Sequence, residues 1–113
     1  MQTNSTVIVQ LSQEGFHNYP DAPFEVKFLA DKHRHTFIIK LGYQVSHNNR
    51  EKEIFLMRDE VRYVLTEFYG NPCEFGSMSC EMIAQELFEH FEEDGVCWVE
   101  VWEEETGGAR VER

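Results

Sequence analysis

The stretch HRHTFIIKLGYQV, residues 33–45, decides the fold predicted for this chain. Apolar and polar side chains alternate along most of it, which is the period of a strand that buries one face. The alternating apolar residues are Phe37, Ile39, Leu41, Tyr43 and Val45. Only Ile38 breaks the pattern. The stretch therefore predicts a long, half-buried strand around which the other elements are arranged.

The segments on either side of this strand predict a hairpin and a loop. Residues 6–11 (TVIVQL) are rich in β-branched side chains and predict a strand. Residues 15–32 contain two prolines and no sustained period, so they predict a loop. Residues 46–50 predict a turn, and residues 53–57 predict a second short strand that completes the hairpin.

Two helices are predicted next. Residues 61–68 carry apolar side chains at positions i, i+3, i+4 and i+7, with Asp59 as the predicted N-cap. Residues 79–91 repeat this pattern and begin at Ser79, a favoured capping residue. Glu81 falls in the first turn, where the helix dipole stabilises an anion.

The C-terminal segments complete an α+β pattern. Residues 96–102 alternate and predict a strand, and residues 109–111 predict the start of a final one. Helices between antiparallel strands predict a single domain over residues 1–113, with one antiparallel sheet and two helices on one face. Trp98 and Trp102 share a side of their strand, so we expect oligomerisation to bury part of the apolar surface.

Charge and cysteine content exclude several classes of protein. The chain has 21 Asp and Glu against 10 Lys and Arg, a net charge of -11, and would repel a phosphate backbone over most of its surface. No apolar run is long enough for a membrane span, and the N-terminal segment lacks the features of a signal peptide. We therefore expect a cytoplasmic protein that binds neither nucleic acid nor membrane. The three cysteines form no CxxC pair, which predicts buried thiols rather than disulfides.

Three of the five histidines have the chemistry of a metal site. His33 and His35 are two residues apart on the long strand, so their side chains leave the same face. His17 follows the first strand and can approach from a neighbouring position. Three imidazoles are the donor set of an open zinc site. The spacing by itself favours the simpler explanation that His33 and His35 are surface or hydrogen-bonded histidines. His47 and His90 are expected to be solvated.

Four segments, in this order along the chain, resemble a known family. They are FHNYP (16–20), HRHTF (33–37), MSCEMIA (78–84) and VEVWE (99–103). Together they resemble motifs of the 6-pyruvoyl-tetrahydropterin and 6-carboxy-tetrahydropterin synthases, which have the tunnelling fold. The resemblance implies a ββααββ-like domain that assembles into a homo-oligomer, a trimer or a hexamer, with its sites at subunit borders.

The resemblance also implies roles for individual residues. The residues that match the zinc ligands of the family are His17, His33 and His35. Glu103 matches the carboxylate that accepts hydrogen bonds from the ring N–H groups of a pterin or purine-like ligand. An exposed acid at the end of a strand also explains Glu103, and Glu104 or Glu105 could take its place by a register slip. Ser79 and Glu81 match residues of the ligand pocket, although helix capping and dipole compensation account for them equally well.

The chain departs from the family at the catalytic base. Leu29 stands where the family has a cysteine, and leucine accepts no proton. Asp31 and Cys73 are the nearest candidates to replace it, and only from a rearranged loop. We predict a divergent synthase-like protein that binds zinc and a pterin or purine-like ligand with weak or no turnover. The alternative is a structural or interaction protein that uses only the oligomeric fold, its metal site decayed.

Overall fold

The computed structural model describes residues 2–113, which form one five-stranded sheet with two α-helices. The strands are β1 (Ser5–His17), β2 (His33–Val45), β3 (Cys73–Gly76), β4 (Val96–Glu103) and β5 (Gly107–Glu112). The helices are α1 (Ile54–Tyr69) and α2 (Cys80–Phe91). Short 3-10 segments cover Phe24–Ala30 and Glu92–Asp94. The strand order across the sheet is β3-β1-β2-β4-β5.

The sheet is antiparallel apart from one edge. β1 and β2 pair along their whole length, from Ser5 opposite Val45 to His17 opposite His33. β4 pairs antiparallel with β2, and β5 with β4. Only β3 runs parallel to its neighbour, along the last residues of β1. The predicted α+β class is confirmed.

Both helices pack on the same face of the sheet. The strand residues buried in this core are Val9, Leu11, Phe37, Ile39, Leu41, Tyr43, Val99 and Val101. The helix residues packed against them include Val61, Leu65, Ile83, Leu87 and Phe91. Trp98 and Trp102 lie on the opposite face and are half-buried, with the Arg110 guanidinium 4.5 Å from the Trp98 ring. No helix within residues 2–113 is both long and apolar enough to cross a membrane.

The predicted second strand of a hairpin at residues 53–57 is wrong. Helix α1 begins at Ile54, and the carboxylate of Glu53 caps it by accepting hydrogen bonds from the N–H groups of Phe55 and Leu56 at 3.0 and 3.3 Å. The cap is therefore Glu53 rather than Asp59. The four consecutive apolar residues after Glu53 fit a strand or a helix equally well, because so short a run has no period.

The predicted loop begins too early, and β3 was not predicted. β1 continues through Gly15 to His17, where the sequence has few β-branched residues. Gly15 fits there because a Cβ atom at this position would lie 2.8 Å from the Phe75 ring and 3.1 Å from the Phe37 ring. The missing side chain thus makes room for two aromatic rings that close the core beneath the end of β1.

Candidate metal centre

Strand pairing brings the three predicted histidines together at one end of the sheet. His17, the last residue of β1, pairs with His33, the first residue of β2. His35 lies two residues further along β2 on the same face. One ring nitrogen from each of the three lies within 4.8 Å of the others, and the group has the composition of a metal site. Two imidazole rings, those of His17 and His33, have their centroids 4.6 Å apart.

Backbone carbonyl groups fix the orientation of two of these rings. The Nδ1 atom of His17 donates to the carbonyl oxygen of Met78 at 2.9 Å, and that of His33 donates to the carbonyl oxygen of Asp31 at 2.9 Å. A carbonyl oxygen only accepts hydrogen bonds, so each Nδ1 carries the proton. The Nε2 atom of a neutral ring then has a free lone pair, which is what a metal ligand needs.

A carboxylate fixes the third ring. His35 Nδ1 donates to Glu104 Oε2 at 2.9 Å, and the Thr36 N–H donates to Glu104 Oε1 at 2.7 Å. The Glu104 N–H in turn donates to the Thr36 carbonyl at 3.0 Å. Glu104 has a φ of 49°, a left-handed conformation that is uncommon for a residue with a side chain. These contacts stabilise Glu104 in that conformation. They also orient the His35 ring, in the way that outer-shell carboxylates orient metal-binding histidines.

Two atoms of the cluster meet the physical requirement for a metal ligand. The Nε2 atoms of His17 and His35 are buried and have no hydrogen-bond partner among the described residues. Buried polar atoms are rarely left unpaired, because each loses its hydration without compensation. Burial also lowers the pKa of His17, which favours the neutral ring that binds metals. The three histidines therefore fit a divalent metal ion.

Replacing Glu104 is expected to weaken metal binding without removing a metal-binding histidine. We expect Glu104→Ala to lower zinc affinity by roughly 10–100-fold, the usual effect of losing an outer-shell partner, and Glu104→Gln to restore part of it because an acceptor oxygen remains. Competition with a chromophoric chelator measures the affinity. Glu105→Ala is the matched control, since that exposed side chain does not line the site. Equal affinities for the Glu104→Ala and Glu105→Ala proteins would refute the role of Glu104.

Comparison with known proteins assigns the fold. No family model matches the sequence, and no curated protein matches it. Among solved structures, 6-pyruvoyl tetrahydropterin synthase from Caenorhabditis elegans is similar with a TM-score of 0.68, over 98% of this chain and 96% of that one. The chain has the tunnelling fold. The two sequences are 10% identical, so the likeness is one of fold.

A pocket of about 790 Å³ opens beside the histidines of this tunnelling-fold domain. Its lining includes His17, His33, Leu29, Glu103 and the two residues predicted from the start of α2, Ser79 and Glu81. The Ser79 hydroxyl accepts a hydrogen bond from the Met82 N–H at 3.2 Å and caps α2 as predicted. Glu81 is exposed at the rim. The pocket thus joins the histidine cluster to the predicted ligand-binding residues.

The other two histidines lie away from this site. His47 is exposed beyond the far end of β2, where its Nε2 atom lies 3.7 Å from Glu51. His90 is exposed on α2 and its ring meets the Phe68 ring edge-on, with 5.3 Å between centroids. Neither belongs to the metal-binding group.

Asp31 and Cys73, the residues that the sequence offered as substitutes for a catalytic base, do not line the pocket. Cys73 is fully buried, its Sγ atom 3.9 Å from the carbonyl oxygen of Leu65. Asp31 does not line the pocket, and its contact with the cluster is the backbone carbonyl that accepts from His33. Leu29 does line it, so an apolar side chain occupies a position where a proton acceptor would be useful.

Two residues of the pocket and the role of Glu104 were not predicted from the sequence. Asp21 and Cys80 line the pocket, and Glu104 orients His35. Cys80 lies next to the Ser79 cap, and its Sγ atom is 3.8 Å from Glu103 Oε1. Burial raises the pKa of the Cys80 thiol to about 12, so it is protonated at neutral pH and a poor base. The sequence signal that could have identified Cys80 is its position directly after Ser79, the predicted helix cap.

Proposed function

We propose that this chain binds zinc through its three clustered histidines and holds a flat bicyclic heterocycle, of the pterin or purine kind, in the adjoining pocket. The observation that carries the proposal is the orientation of the rings. Acceptors hold the Nδ1 atoms of all three, and the Nε2 atoms of His17 and His35 are buried without a hydrogen-bond partner. A metal ion bound between the rings would give both nitrogens a partner.

Zinc suits these donors better than magnesium or calcium does. Neutral imidazole nitrogen is a preferred zinc ligand, whereas magnesium and calcium prefer oxygen. Zinc held by three histidines supplies Lewis acidity, which polarises an oxygen atom of a bound ligand. The chain itself supplies the outer shell that keeps the rings in place: two backbone carbonyls and Glu104.

The pocket has the size and polarity for a small heterocycle. Its volume of about 790 Å³ falls within the usual range for small-molecule sites. Glu103 contributes a carboxylate, which can accept two parallel N–H donors such as those along the edge of an aminopyrimidinone ring. Ser79 and Glu81 flank it from the start of α2, where they can add polar contacts.

Binding of heterocycles is the first test of this proposal. Calorimetry of the zinc-loaded protein with a panel of pterins and guanine derivatives should detect binding by at least one of them. Glu103→Ala should abolish that binding at saturating zinc, because the ring N–H donors lose their acceptor. Glu105→Ala should leave it unchanged. Absence of heat with every compound would favour the structural or interaction role instead.

We also expect the protein to be a homo-oligomer, a trimer or a hexamer. Within residues 2–113, β3 covers only the last residues of β1, Gly15–His17, and β5 has a neighbouring strand on one side only. Exposed strand edges are commonly removed by pairing, and strands from several copies can close into a barrel. Multi-angle light scattering at micromolar concentration checks the mass. A monodisperse monomer would contradict this expectation.

A further inference from the structure

Glu103 faces the histidine cluster as well as the pocket. It is the last residue of β4 and pairs with Phe37 of β2, which lies two residues beyond His35 on the same face. Its Oε1 atom is 3.2 Å from the Nε2 atom of His17, and its Oε2 atom is 3.5 Å from the Nε2 atom of His35. The carboxylate therefore spans the two nitrogens that have no hydrogen-bond partner.

When the rings are neutral, this arrangement places hydrogen-bond acceptors of the two histidines against those of Glu103. The Nδ1 atoms of His17 and His35 donate to oxygens that only accept, so whenever these rings are neutral their Nε2 atoms carry the lone pairs. An ionised carboxylate also offers only lone pairs. Lone pairs that face one another at such short distances repel unless a positive charge lies between them. A metal ion shared by Glu103 and the two histidines would supply that positive charge.

The separations between Glu103 and two of the ring nitrogens match those between ligands of a single zinc ion. Zinc binds imidazole nitrogen and carboxylate oxygen at about 2.0–2.1 Å, which places two ligands of a tetrahedron about 3.3–3.4 Å apart. The separations of 3.2 and 3.5 Å from Glu103 to the two rings bracket that value. We propose that Glu103 is the fourth ligand of the resting metal site, together with His17, His33 and His35.

This inference rests on the proposed function and changes what the site does. A site with four protein ligands is closed, whereas a catalytic zinc site keeps one position open for water or substrate. The Glu103 carboxylate then has two competing uses, as a metal ligand and as the acceptor for the N–H donors of a heterocycle. A bound heterocycle that recruits Glu103 opens a position on the metal. Ligand binding and opening of the metal site are thereby coupled through one side chain.

Visible spectroscopy of the cobalt-loaded protein tests this inference, because Co²⁺ replaces zinc and its absorption bands report coordination. We expect the wild-type spectrum to be unchanged by millimolar thiocyanate, since no position is open. Glu103→Gln should have an altered spectrum that thiocyanate shifts further, and its affinity for Co²⁺ should fall by at least about tenfold. Glu105→Gln, which changes an exposed carboxylate outside the pocket, should behave as wild type.

Either of two outcomes would overturn the inference about Glu103 while leaving the proposed metal site intact. One is a Glu103→Gln protein that matches wild type in spectrum and affinity. The other is a wild-type cobalt protein whose spectrum responds to thiocyanate, a result that does not depend on the folding of any variant. If wild-type protein binds no Co²⁺ or Zn²⁺ at all, the proposed metal site fails, and the fourth ligand fails with it.

Discussion

His33→Ala protein is expected to lose its zinc to a dilute chelator that leaves the wild-type protein loaded. His33 supplies one of the three converging ring nitrogens, and its ring is fixed by the Asp31 carbonyl. Loss of an outer-shell group lowers metal affinity by roughly 10–100-fold, and loss of a direct ligand should exceed that. Elemental analysis after gel filtration in the chelator gives the zinc content per chain.

The matched control for this experiment is His47→Ala. His47 is exposed, lies two residues beyond the end of β2, and does not belong to the cluster. We expect this variant to retain zinc at the wild-type level. Equal zinc content in the His33→Ala and His47→Ala proteins would show that the metal, if any, is bound elsewhere.

Synthase turnover of dihydroneopterin triphosphate is expected to stay at background. Proton transfer by a positioned side chain typically contributes about 10²–10⁴-fold to rate, and Leu29 cannot supply it. The protonated thiol of Cys80 is a poor substitute, because burial raises its pKa to about 12. A discontinuous assay of the zinc-loaded protein measures the rate against buffer containing the same zinc concentration.

Two variants separate a missing base from other causes of inactivity. Leu29→Cys places a thiol in the pocket lining and should raise turnover above background, whereas Leu29→Ala removes the same bulk without adding a proton acceptor. Robust turnover by the wild-type protein would mean that another residue serves as base. Asp21, the carboxylate that the loop before the 3-10 segment contributes to the pocket, is then the first to replace.

The sequence predicted the central strand and the ends of α2 well because both have a clear period and clear boundaries. β2 alternates almost without interruption, and Ser79 is a strong cap. The start of α1 was not predictable in the same way. The apolar run after Glu53 has no period of its own, and the capping carboxylate is a glutamate rather than one of the shorter side chains preferred at that position.

The remaining errors come from tertiary contacts. The second half of β1 is a strand because it pairs with all of β2, and Gly15 is tolerated because it makes room for Phe37 and Phe75. β3 is only four residues long and is defined by its pairing with the end of β1. Neither feature leaves a local pattern, since both depend on residues distant in the sequence.

In the candidate site too, features with a local sequence pattern were predicted, and features that depend on tertiary contacts were not. The spacing of His33 and His35 on one strand predicts a shared face, and the structure gives the cluster that includes His17. The role of Glu104 was not predictable, because it depends on a left-handed turn that aims its carboxylate at His35 and Thr36. In a run of three acidic residues, sequence alone does not distinguish Glu103, which faces the Nε2 atoms of His17 and His35, from Glu104, which accepts a hydrogen bond from His35 Nδ1.

The central claim is that one zinc ion binds among His17, His33 and His35. Anomalous diffraction at the zinc absorption edge, on crystals of protein purified in the presence of zinc, tests it most directly. The account predicts one anomalous peak per chain within bonding distance of the three Nε2 atoms, with a Glu103 oxygen as the fourth ligand. The absence of a peak at the cluster in fully zinc-equilibrated crystals would contradict it.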